Sequence, residues 1–148
     1  MLYLAGIFIL IAILILIIFF TGKPGIFTSQ RSILSSRDLQ RYRTEWQEIK
    51  SLTVLGGPSQ LKQAVIQADR LVEQVLRILY PAVKTNVERY KKAEILFSDK
   101  KSYDDLWYAH KARNELVHNL NFELPYAQAI DVINKYQEAL KTLGIDKL

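Results

Sequence analysis

The chain has 148 residues, a formal net charge of +5 and no cysteine. That length suits one domain plus an accessory segment and excludes two full domains. The lack of cysteine excludes a disulfide framework, a thiolate zinc site and a cysteine nucleophile.

The apolar content is unevenly spread. The first twenty residues, "MLYLAGIFILIAILILIIFF", carry no charged side chain. About nineteen apolar residues at 1.5 Å rise span roughly 28 Å, close to the thickness of a bilayer's hydrocarbon core. A cleaved signal peptide would want a basic start, a shorter apolar run and a small-residue cleavage site. None of these is present, so residues 1–20 are expected to form an uncleaved transmembrane anchor. No Lys or Arg precedes the run, whereas Lys23, Arg31, Arg37, Arg41 and Arg43 follow it. The positive-inside rule then places the protein in the cell membrane as a single-pass chain. Its amino terminus lies outside and its carboxyl-terminal body is cytoplasmic. The basic cluster should also be drawn to anionic headgroups, by about 1 kcal/mol per residue.

Residues 21–35 read as a linker, with the Gly, Pro and Ser punctuation of "TGKPGIFTSQRSILS". Residues 36–148 read as helices throughout, because strict apolar alternation appears nowhere over a useful length. The first helix is predicted from about Ser36 to Leu52, with Leu39, Tyr42, Trp46 and Ile49 on one face. "LGGPS" breaks it. The second is predicted to start at Pro58 and Ser59 and stop before Pro81, with Leu61, Val65, Ala68, Val72, Val75 and Leu79 inward. A third, shorter helix is expected from about Asn86 to Phe97. Ser102 and Asp105 suggest a capping box, so the fourth should begin there and run to about Leu120. Pro125 suits the first turn of a fifth helix, which Gly144 follows. Ala129, Val132, Ile133, Tyr136, Ala139, Leu140 and Leu143 face inward. The expected fold is all-α: a transmembrane helix, then an up-and-down bundle of four to five helices.

The fourth helix, read at about 100° per residue, has three faces. Leu106, Ala109, Leu116 and Val117 form an apolar side, with Ala112 beside them. Lys111, Glu115 and Tyr108 lie on the solvated side. His110, Asn114 and His118, four residues apart, form a polar ridge between the two. Arg113 falls inside the apolar sector. A guanidinium there needs a carboxylate, and Asp69, on the edge of the second helix's apolar face, is the candidate. No Asp, Glu or Cys joins the ridge, and two imidazoles alone make a poor metal site, so no metal is expected. A histidine that titrates near neutrality suits acid–base work instead.

"RNELVH" can now be taken as a unit. Arg113, Asn114 and His118 resemble the R-x4-6-H motif of HEPN domains, in which a polar residue often follows the Arg. "AVIQADRLVEQVLRIL" is similar to the early helix of that family. The stretch from "YDDLWYAHK" to "NKYQEAL" is similar to its motif helix and the helix that follows. The resemblance covers roughly Gln60 to Leu143 and implies an all-helical bundle with the motif on a late helix. It further implies one of two functions. The first is a metal-independent endoribonuclease that works as a homodimer without a cofactor. The second is a non-catalytic module that binds RNA or a partner protein, such as an antitoxin. In the first, His118 would be general acid or base, Arg113 would hold the phosphate, and Asn114 would orient them. Asp69 would support Arg113. His110 stands outside the family's motif and is included as a helper. "RYKK", from Arg89 to Lys92, would contact phosphates or form an ordinary solvated face. Tyr90, Tyr103, Trp107 and Tyr108 would stack bases or pack in the bundle.

Overall fold

The structure, a computed structural model, describes residues 33–119, 122–146 and 148. The expected anchor over 1–20 and most of the linker over 21–35 lie outside those residues. Among the described residues no helix is long and apolar enough to cross a membrane, and there is no strand. The all-α bundle expected for the carboxyl-terminal body is what the chain forms.

Helix α1, Ser36–Leu55, starts where the Ser35 hydroxyl accepts the Asp38 N–H and donates to the Asp38 carboxylate. It runs three residues past the expected Leu52 and stops at Gly56, whose φ of 69° favours a residue without Cβ. Tyr42, Trp46 and Ile49 are buried along it. Helix α2, Pro58–Leu79, has proline in its first turn, where a missing N–H costs nothing. All six of its expected inward residues are buried. Helix α3 covers only Asn86–Lys92. The chain then tightens into a 3-10 turn, Ala93–Leu96, in place of the expected continuous helix to Phe97. The Ala93 N–H shared among the carbonyls of Arg89, Tyr90 and Lys91 marks the tightening.

Helix α4, Lys100–His118, begins two residues before the expected Ser102. The cap is Asp99, whose carboxylate takes both the N–H and the hydroxyl of Ser102. Asp105 is instead held by Lys101 and Lys135. The helix ends at His118, and Leu120 lies outside the described residues. Helix α5, Tyr126–Thr142, follows Pro125, which sits just before its first turn and not in it. All seven of its expected inward residues are buried.

The four long helices alternate in direction around α2, which packs on α1, α4 and α5. Each end of the bundle therefore has a fixed membership. Leu34, the α2–α3 connection, the start of α4 and the finish of α5 share one end. The α1–α2 turn, His118 and Tyr126 share the other. Leu34 is buried in the core and lies over Gly144, so the folded body begins before residue 36.

Candidate functional site

Asp69, halfway along α2, is fully buried, and three other helices converge on its carboxylate. Its Oδ1 accepts the hydroxyls of Tyr90 (2.8 Å, from α3) and Tyr136 (2.9 Å, from α5). The same oxygen lies 2.8 Å from Nδ1 of His110 on α4. A carboxylate can only accept, so Nδ1 carries the proton. Arg113 Nε lies 3.0 Å from Asp69 Oδ2. That contact joins opposite charges but is not aligned as a hydrogen bond. Burial, followed by the Asp69 charge, pushes both tyrosine hydroxyls well above their ordinary range, so they stay protonated donors.

The ridge predicted on α4 does not stay together. Each four-residue step turns the helix about 40° past a full circle. His110 is buried on Asp69, Asn114 is half-buried, and His118 is exposed in the last turn. Val117, expected on the apolar side, is 43% exposed. Asn114 Oδ1 accepts Nη1 of Arg113 at 3.0 Å. Arg113 is thus gripped on its inner edge by Asp69 and on its outer edge by Asn114. His118 makes no hydrogen bond or ion pair among the described residues.

The stacking candidates divide likewise. Tyr90 lies against His110 at 4.4 Å between ring centroids, and the Trp107 ring meets His110 edge-on at 5.9 Å. Tyr103 is buried, while Tyr108 is exposed and accepts a hydrogen bond from Gln128. Arg89, expected with the phosphate-facing basic run, is buried. Its guanidinium holds the α2–α3 connection through Tyr80 O, Val83 O and Asn86 Oδ1.

Sequence reasoning missed Glu73, one turn after Asp69. Asp69, Glu73 and His110 each bring one atom within 4.8 Å of the others. They make a poor cation site, because three donors crowd Asp69 Oδ1 and Arg113 already brings positive charge to Oδ2. Burial first, then the Asp69 charge, raise the Glu73 carboxyl above its ordinary value; Arg113 and His110 oppose this. The folded chain therefore binds that proton more tightly than the unfolded chain. The resulting stability is present at low pH and is lost as pH rises from the ordinary value of 4.5 through the raised one. Glu73→Gln should melt at a higher temperature than the parent at neutral pH, and the two should converge below pH 4.5. Thermal melts across pH check this; a Glu73→Gln variant less stable at neutral pH would contradict it. Tyr136 was legible as inward, and an inward tyrosine needs a partner for its hydroxyl.

At the His118 end, a groove of about 640 Å³ runs between α2, α4 and α5. Leu61, Leu116, Phe122, Leu124 and Tyr126 are among its lining residues. Val54, Leu55 and Tyr126 at this end are well exposed. Comparisons with protein-family models, with characterised proteins and with solved structures each return no match to this chain.

Proposed function

We propose that the chain is a membrane-tethered HEPN-like bundle acting as a metal-independent endoribonuclease, with two copies sharing one site. The supporting observation is the way Arg113 is held, with its inner edge on buried Asp69 and its outer edge on Asn114. A guanidinium fixed in this way, with its side chain 22% exposed, can turn its remaining N–H groups to a phosphate. His118 lies about 7.5 Å further along the helix and is exposed. RNA brings its own nucleophile. The 2′-oxygen bonds to phosphorus as its proton leaves to one His118. The bond to the 5′-oxygen breaks as that oxygen takes a proton from the His118 of a second copy. A 2′,3′-cyclic phosphate and a 5′-hydroxyl result. Each copy supplies only one such ring, and the exposed Val54, Leu55 and Tyr126 at that end suit a pairing surface.

The test uses the full chain in detergent, with end-labelled RNA and excess chelator. Cleavage leaving cyclic phosphate ends is expected, falling by about 10²–10⁴ in His118→Ala while the melting temperature holds. A second reading is a non-catalytic module that binds RNA or a partner protein at the membrane. It is favoured by the lack, among the described residues, of any group that orients His118. RNA bound without cleavage, or equal rates in parent and His118→Ala, would establish that reading and end the catalytic one.

A further inference from the structure

Three lysine side chains at the Leu34 end of the bundle are left without a carboxylate partner among the described residues. Lys84, Lys91 and Lys92 line a shallow depression of about 440 Å³ with Ala82, Val83 and Glu88. All three are exposed, and none makes an ion pair among the described residues. Four other lysines of the bundle are paired, Lys100 on Asp104, Lys101 on Asp105, Lys135 on Asp105 and Asp131, Lys141 on Glu138. Lys50, Lys62 and Lys111 are not, among the described residues, but they lie outside this depression. Glu88 is the one carboxylate lining the depression, which leaves a surplus of positive charge. Two exposed apolar side chains lie about one helical turn along the chain from the lysines: Val87, four residues before Lys91, at 48%, and Ile95, three after Lys92, at 69% exposure.

We propose that this face, Lys84, Lys91 and Lys92 with Val87 and Ile95, docks on an anionic membrane surface. The proposal rests on the tether reading above, and three observations carry it beyond that. The first is position: the face lies at the end of the bundle where the described chain begins. From Phe20, the last residue of the apolar run, to Ile33 is thirteen residues. Fully extended, they reach about 45 Å. A bundle on so short a leash meets the bilayer at high effective concentration, so weak contacts suffice. The second is charge: each lysine near an anionic leaflet adds roughly fivefold in affinity, and three are unspent. The third is the pair of exposed aliphatic side chains, which suit the headgroup boundary. They do not suit RNA, which would want exposed rings to stack on; the aromatic residue of α3, Tyr90, is turned inward onto Asp69. Docking here would leave the His118 end facing away from the bilayer.

The chain lacks cysteine, so Ala82→Cys can carry a single polarity-sensitive fluorophore, with Lys62→Cys at the opposite end as control. The full chain is reconstituted in vesicles of phosphatidylcholine, with or without phosphatidylserine. With phosphatidylserine, the label at position 82 should shift to the blue and be quenched by a headgroup-level quencher. High salt should reverse both effects, and Lys84→Glu/Lys91→Glu/Lys92→Glu should reduce docking by at least about a hundredfold. The label at position 62 should not respond. A chain that resists alkaline extraction but whose position-82 label ignores phosphatidylserine overturns the docking and leaves the tether standing. A chain that alkali extracts overturns the tether, and the docking with it. A position-82 label that answers single-stranded RNA and not phosphatidylserine overturns the proposal and assigns the face to nucleic acid.

Discussion

Asp69→Ala should destabilise the bundle by about 3–5 kcal/mol, the usual loss when one member of a buried charge pair is removed. Three hydrogen-bond donors, Tyr90, Tyr136 and His110, lose their acceptor at once, and Arg113 loses its counter-charge. For a domain of this size, that is a fall in Tm of at least about 12 °C. Asp69→Asn keeps the shape but turns an amide N–H₂ toward groups that are themselves donors, so it should lose nearly as much. Calorimetric melts of the two variants measure this. A fall of only a few degrees in Asp69→Ala would mean that the tyrosines and Arg113 find water or new partners. The convergence on Asp69 would then not hold the helices together.

Trp46→Ala should cost about 3–5 kcal/mol, the range for removing a large buried aromatic. Trp46 is the largest fully buried side chain of the bundle and, with Tyr42 and Ile49, fastens α1 to α2. Trp46→Phe should cost much less. Among the described residues the buried indole Nε1 has no hydrogen-bond partner, so phenylalanine removes an unsatisfied donor along with part of the volume. Denaturant titrations of both variants separate the two effects. Equal losses would mean that the indole N–H finds a partner in solution, and a small loss in both would show α1 to be loosely attached.

How much of this is legible in the sequence differs from helix to helix. In α2 and α5 the apolar spacing alone picks out the core, because each presents a broad apolar face to neighbours on several sides. The boundary errors trace to local competition. Ser102 has the spacing of a cap, but Asp99 offers a stronger acceptor three residues earlier, while two lysines claim Asp105. The Arg113–Asp69 contact follows from placing Arg113 in an apolar sector and asking what could neutralise it. The rest of the centre does not follow. Tyr90 and Tyr136 reach Asp69 from 21 and 67 residues away in the chain, and no periodicity within one helix reports such a meeting. His110 and His118 look alike on a helical ridge, yet one is buried and the other lies in water. A 40° drift per step is enough to carry the second past the edge of the packed face.

The placement of α1 determines how the bundle takes mechanical load. Its first turn lies at the Leu34 end, and from there it runs the full length of the body to Leu55. A pull through Ile33 is therefore directed along the axis of α1. It must shear Leu34, Tyr42, Trp46 and Ile49 past α2 and its neighbours together and cannot unzip them one at a time.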